Sequence, residues 1–323
     1  MLLASAHAPL SYFQALVIGL LQGVTELFPI SSLGHSVLVP ALLGWNTIVG
    51  SQSATESFYL AFLVGLHVAT ALALFLFFRR EWVRIIAGGW TSLVRLVSRQ
   101  KPVIQTADQR LFWLLVTVTV PVGIIGLAFE HHLRTVFAKP AAAAIFLFCN
   151  GLILLAGERL RRKDQARSLE RVPATSGAPV RAAAAGATGG SGPSRSLSTL
   201  GFGEGFLIGC FQSLALLAGI SRSGVTMVGG LVRGLSHEDA ARFSFLAATP
   251  LILAAGVYKL HDLTGPNGQG IRGQVLLGSV VAAVAAYASV KFLVRFFQTR
   301  TLTPFAIYCL VVGAILTIRF GIF

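Results

Sequence analysis

Charge is what this sequence has least of. Asp, Glu, Lys and Arg make up 12% of its 323 residues, while 54% are hydrophobic; a soluble domain carries about 25% charged residues. That scarcity excludes an ordinary water-soluble domain. Cysteine is rare too. Cys149, Cys210 and Cys309 all fall in apolar segments and form neither a zinc spacing nor a disulfide framework, so they read as small core residues. Alternating polar and apolar strands are absent, which excludes a membrane β-barrel. The opening "MLLASAHAPL" has no basic region of the kind that precedes a cleaved signal peptide.

What is present is a series of apolar runs. Phe58–Phe78, Leu111–Phe129, Pro140–Gly157, Val275–Val290 and Pro304–Ile318 are nearly free of charge. Helices of about 20 residues cross a hydrocarbon core about 30 Å thick. The expected fold class is therefore an all-α polytopic membrane protein with about six transmembrane helices. The formal charge of +14 is no sign of a nucleic-acid partner, because the basic residues gather in loops, as on the cytoplasmic side of membrane proteins.

Residues 159–200 read differently. Basic at first, then rich in Ala, Gly, Pro and Ser, they cannot bury enough apolar surface to fold alone and are expected to form a flexible cytoplasmic linker. The linker separates an N-terminal unit, 1–158, from a C-terminal unit, 201–323. A shift of 190 positions lays Ile18, Gly19, Gln22, Ile30, Ser31, Gly34 and Gly44 on Ile208, Gly209, Gln212, Ile220, Ser221, Gly224 and Gly234. Each unit opens with an apolar segment broken by a polar, glycine-bearing centre, 13–44 and 202–234, and continues with three spans. The spans are expected at 58–78, 111–129 and 140–157, then at 242–259, 275–297 and 304–320. The broken segments read as re-entrant helical hairpins, since non-helical backbone at membrane depth must be buried in protein or line a wet cavity.

Three spans per unit put the second hairpin on the opposite face, so the units form an inverted repeat. Placing both termini outside leaves the loops at 79–110, 158–200, 233–242 and 291–300 in the cytoplasm, with about 20 of the 26 Lys and Arg residues.

The breaks carry the polar chemistry. "PISSLGHS" occupies 29–36 and "AGISRSGV" 218–225. Ser31 or Ser32 can cap a helix over about 33–44, and Ser221 one over about 223–233. A helix N-terminus presents free N–H donors and a partial positive charge, and so attracts phosphate. Inversion brings both ends together near the midplane, with Gly34, Gly219 and Gly224 allowing close approach. Arg222 adds a permanent charge whose planar fork matches phosphate; the plainer reading is an ion pair with Glu26 that only ties the hairpins. Glu26 and Gln22 lie four residues apart, on one helix face, and could ligate a hard divalent cation such as Mg²⁺ or Ca²⁺; packing between hairpins is the plainer role for Gln22. His35 follows the Ser31–Ser32 cap within a turn and could attack phosphorus, shuttle a proton or sit as a satisfied core histidine. His67, in the middle of an apolar span, either touches the site or pairs with a polar neighbour.

Taken together, "GVTELFPISSLGHSVLV" (Gly23–Val39) and "AGISRSGVTMVGG" (Ala218–Gly230) resemble the two signatures of the bacterial undecaprenyl-diphosphate phosphatases of the BacA type, and "FSFLAATP" and "TPFAIY" are similar to further stretches of that family. The likeness covers nearly the whole chain outside the linker. It implies a phosphatase that converts undecaprenyl diphosphate to undecaprenyl phosphate and inorganic phosphate, recycling the lipid carrier of peptidoglycan synthesis in the bacterial cytoplasmic membrane. It also implies a divalent cation, a site opening to the outer face and a link to bacitracin resistance. The family's catalytic groups fall on Glu26, Ser32, His35 and Arg222; Ser31, Gly34, Gly219, Ser221, Ser223, Gly224 and Thr226 would bind substrate. Two positions depart from the pattern: Gln22 stands where a glutamate is common, and Ala218 where a proline precedes Gly219. The nucleophile stays open among His35, Ser32 and water. The expected partners are a polyprenyl diphosphate and membrane lipids, with a homodimer left open. A transporter or flippase of polyprenyl phosphates would suit the same inverted fold. The other class of membrane lipid phosphatases does not fit, because Val228 stands near where its histidine should be.

Overall fold

The computed structural model describes residues 10–51, 58–137, 139–170, 194–259, 265 and 270–321. Among them, six helices are long and apolar enough to cross a membrane. In chain order the helices are α1 (Tyr12–Thr25), α2 (Ser32–Leu42), α3 (Asn46–Ser51), α4 (Phe58–Phe77), α5 (Arg79–Val97), α6 (Ala107–Phe137), α7 (Pro140–Glu170), α8 (Phe202–Gln212), α9 (Arg222–Val232), α10 (His237–Tyr258), α11 (Arg272–Thr299) and α12 (Thr303–Gly321). The spans are α4, α6, α7, α10, α11 and α12; α1–α2 and α8–α9 are the two hairpins.

Local chemistry explains the hairpins. Ser11 and Gln14 form a capping box that starts α1. Pro29 has no N–H with which to continue a helix, and Ser31 turns the chain with φ at +70°. Its hydroxyl then accepts from Gly34 N–H and caps α2. In the second hairpin, α8 tightens into a 3₁₀ turn over Ser213–Leu216, Gly219 takes φ of +115°, and Ser221 caps α9 by accepting from Gly224 N–H. Only glycine adopts that Gly219 conformation without cost.

The repeats pack by exchange. The first helix of each hairpin lies on the second span of the other repeat: α1 on α11, and α8 on α6. Small residues set both contacts. A Cβ added to Gly19 would stand 2.5 Å from the Gly278 carbonyl oxygen, and one added to Gly209 would stand 2.5 Å from that of Val118. Gly19 and Gly209 are the positions that the 190-residue shift superposes. The first spans, α4 and α10, pack on each other, as do the third spans, α7 and α12. This reciprocity is what a pseudo-twofold axis in the membrane plane requires.

The linker expectation needs correction at both ends. α7 continues through 159 to Glu170, because its basic end is anchored: Glu158 accepts from His237 Nε2 at 2.6 Å and from Leu302 N–H at 2.7 Å, and Arg161 lies 2.8 Å from His237 Nδ1. At the far end Arg195 is docked, its N–H donating to the Gly234 carbonyl and its guanidinium to Glu204. Positions 171–193 lie outside the described residues. The loop expected at 79–110 holds α5, an amphipathic helix in which Trp82, Ile85, Gly89 and Ser92 are buried.

A candidate active site between two helix N-termini

The hairpin tips touch. Ser31 Oγ accepts two backbone N–H groups at 3.2 Å, from Gly34 in its own helix and from Gly219 in the opposite hairpin. A Cβ on Gly34 would lie 2.9 Å from Gly219 Cα, so this approach requires glycine. Across the same junction Ser223 donates to the Phe28 carbonyl at 3.2 Å, and Gly224 packs against Pro29.

One cavity of about 560 Å³ opens beside the tips, lined by both helix starts: Ser31, Ser32 and Leu33 from α2, and Ser221 and Arg222 from α9. The first N–H groups of a helix have no partner within it, so two sets of donors and two positive dipole ends serve one space. Glu26, His67 and Gln212 add to its polar part, while Leu60, Leu63, Val64, Val122, Leu127 and Ile252 make up much of the apolar wall.

Glu26 organises the polar end. It is buried, and its Oε1 accepts from Arg222 Nη2 at 2.7 Å. Its Oε2 accepts from Ser32 Oγ at 2.5 Å and from Gln22 Nε2 at 3.0 Å. His67 Nε2 stands 3.5 Å from the same oxygen, and its Nδ1 meets the Leu63 carbonyl at 2.8 Å. The ion pair of the plainer reading is thus present. It does not use up the arginine: Nη1 of Arg222 is buried with no hydrogen-bond partner among the described residues, as is Nε2 of Gln212. Both residues line the cavity. A buried donor left unmet costs about 1–3 kcal/mol, which an anionic oxygen in the cavity would recover.

The residues expected to bind or react therefore divide. Glu26, Ser31, Ser32, Ser221 and Arg222 line the cavity. Gly34, Gly219, Ser223 and Gly224 build the tip junction instead, and Thr226 donates to the Arg222 carbonyl inside α9. His35 is buried behind α2 and is not among the lining residues. Its Nδ1 meets the Ser31 carbonyl at 2.7 Å and its Nε2 meets the Tyr308 hydroxyl at 2.8 Å, with the two rings stacked.

Asn150 belongs to neither signature, and no expectation from the sequence rests on it. It is fully buried in the middle of α7 and bonds both tips, donating to the Pro29 carbonyl at 2.9 Å and accepting from Ser221 N–H at 3.0 Å. An amide at the centre of an apolar span is the signal that could have found it.

The chain matches the family described as bacitracin resistance protein BacA over residues 15–315. It is 57% identical to a protein of Frankia alni named undecaprenyl-diphosphatase 2, across 97% of this chain and 99% of that protein. It is 57% identical to an undecaprenyl-diphosphatase of Mycolicibacterium paratuberculosis, covering 95% and 96%. With undecaprenyl-diphosphatase 2 of Chromobacterium violaceum the identity is 40%, over 94% and 96%.

Proposed function

From the premise that this chain belongs to the bacitracin resistance protein BacA family, we propose that it is a membrane phosphatase that hydrolyses undecaprenyl diphosphate to undecaprenyl phosphate and inorganic phosphate. Its 57% identity to proteins named for that activity supports the substrate. The observation that carries the mechanism is the cavity lined by two opposed helix N-termini and a guanidinium with an unpartnered N–H. Phosphoryl transfer asks mainly for positioning and for neutralisation of charge on the equatorial oxygens. Arg222 and the free N–H groups of α2 and α9 supply both, and the apolar wall takes the first isoprene units.

Ser32 is the nucleophile in this reading. Its hydroxyl lines the cavity and already donates to Glu26. Attack of Oγ on the terminal phosphorus passes the proton to Glu26 Oε2, releases undecaprenyl phosphate and leaves a phosphoserine. Water then attacks the phosphorus of that ester: Glu26 returns its proton to the departing Ser32 Oγ, the water oxygen leaves on inorganic phosphate as hydrogen phosphate, and the second water proton passes to solvent. His35, with both ring nitrogens engaged, holds the α2 start against α12.

No group of three or more His, Cys, Asp or Glu among the described residues could hold a metal, so a cage made wholly of protein is not available. A cation completed by phosphate oxygens and water fits better, since Mg²⁺ is commonly held by one or two carboxylates plus substrate phosphates. Glu26 and Gln22 would hold it; Gln22 Oε1 is buried without a partner among the described residues. When bound, the cation adds positive charge at the phosphate oxygens. In this reading the site lies in the bacterial cytoplasmic membrane and opens outward, which is supported by the reach of its cavity to Tyr258 and Lys259, at the end of α10 that leads to the sparsely charged loop.

Purified protein in detergent micelles, which have no compartments, should release phosphate from undecaprenyl diphosphate. Farnesyl diphosphate should react more slowly, water-soluble diphosphates least, and EDTA should suppress turnover. Binding without phosphate release would point to a flippase instead.

A further inference from the structure

Helix α5 presents three distinct faces, and the hairpin chemistry uses none of them. Its 19 residues, about 28 Å of helix, join the end of α4 to the start of α6, on one side of the membrane. One face is buried. Trp82 stacks on Phe75, Gly89 packs under Phe112, and Ser92 accepts from Trp113 Nε1 at 2.7 Å. These contacts with α6 fall on its first turns, so α5 crosses the end of that span.

The second face is apolar and open. Val83, Ile86, Trp90, Val94 and Val97 are 67%, 51%, 68%, 47% and 82% exposed. Their spacing places them in one stripe along the helix. The third face, adjoining that stripe, carries Arg80, Arg84 and Arg95, and Arg99 and Lys101 continue the positive row beyond the last turn. The one acidic residue of the helix, Glu81, is taken by Arg242, whose Nε donates to it at 2.8 Å.

An apolar stripe beside a cationic stripe matches the boundary between acyl chains and headgroups. The charge decides which lipid. Three arginines whose one acidic neighbour on the helix, Glu81, is already paired with Arg242 favour anionic headgroups, which attract basic segments at a membrane surface. We propose that α5 is an interfacial helix that selectively recruits anionic phospholipid, with Val83, Ile86, Trp90, Val94 and Val97 in the acyl boundary and Arg80, Arg84 and Arg95 at the headgroups.

Quenching of Trp90 tests this in nanodiscs containing phosphatidylcholine and phosphatidylglycerol, with bromine on the chains of one lipid at a time. The Trp90 signal is the difference between the intact protein and Trp90→Phe. Brominated phosphatidylglycerol should quench it about twofold more than brominated phosphatidylcholine at equal mole fraction, an excess that high salt removes. Combining Arg80→Gln, Arg84→Gln and Arg95→Gln should equalise the two lipids and leave phosphate release unchanged. If that variant fails to assemble, the salt titration of the unaltered protein gives the same reading. Equal quenching by both lipids at low salt would overturn the proposal. So would an absence of quenching by either lipid together with disulfide cross-linking between copies of Val97→Cys, which would assign the stripe to a second copy of the chain.

Discussion

In the first hairpin Ser31 caps α2 and Glu26 sits one turn before the break; in the second, Ser221 caps α9 and Arg222 sits immediately after it. The 190-residue shift that superposes the two caps sets Glu26 on Leu216 and Arg222 on Ser32. The repeat therefore duplicates the scaffold and not the chemistry. Each half contributes a helix N-terminus, but the carboxylate of Glu26 and the hydroxyl of Ser32 come from one half and the guanidinium of Arg222 from the other. Dividing the charges in this way gives each its partner across the junction, at a depth where an isolated charge costs about 2.5–3.5 kcal/mol.

Removing the acid from the first hairpin should break this division most severely. Glu26→Gln takes the proton acceptor from Ser32 and leaves Arg222 without its counter-charge. We expect kcat for phosphate release to fall about 10³-fold, within the range of general-base loss. A normal kcat would refute the Ser32–Glu26 assignment.

The next effect concerns what keeps the halves aligned. Asn150 is outside both hairpins and holds the tips together through Pro29 and Ser221. Asn150→Leu removes both bonds, and a misplacement of this kind costs about 10²-fold in kcat. Asn150→Asp keeps the acceptor for Ser221 N–H and loses the Nδ2 donor to the Pro29 carbonyl and to Cys309 Sγ, so its loss should be smaller, about tenfold on the same reasoning. KM should change little in either variant, because the phosphate-binding groups remain. A change confined to protein yield would mark Asn150 as purely structural.

The smallest expected effect separates the two caps. Losing a serine cap costs about 1 kcal/mol. Ser31→Ala should lower the unfolding midpoint in detergent more than Ser221→Ala, because Ser31 Oγ accepts Gly219 N–H from the opposite hairpin at 3.2 Å, whereas the Ser221 hydroxyl reaches the opposite Phe28 carbonyl only at 3.5 Å. Equal midpoints would show that this cross-hairpin bond contributes nothing to stability.

Much of this arrangement is legible in the sequence because its causes are local. Long apolar runs fix the spans; proline, serine and glycine fix the breaks; the position of the basic residues fixes the orientation expected for the loops. The contact of Arg222 with Glu26 follows once the hairpins are read as inverted. Other features depend on packing between distant segments and leave no local trace. The sequence gives no sign that His35 is held by Tyr308 on α12, and although it marks His67 as a polar residue within an apolar span, it does not say that Glu26 is the group His67 comes beside. The helical run to Glu170 was hidden because 159–170 is polar, and what anchors it is the approach of His237 and Leu302 from the other repeat.

Phosphate release from undecaprenyl diphosphate by purified Arg222→Ala and Arg222→Lys tests the central claim most directly. If the guanidinium and the opposed helix ends grip the diphosphate, the alanine variant should lose about 10³-fold in kcat/KM. The lysine variant, which keeps a charge opposite Glu26 and so guards against misfolding, should recover only part of that loss, because it lacks the planar fork. Turnover near that of the unaltered protein in a folded Arg222→Ala variant would contradict the account.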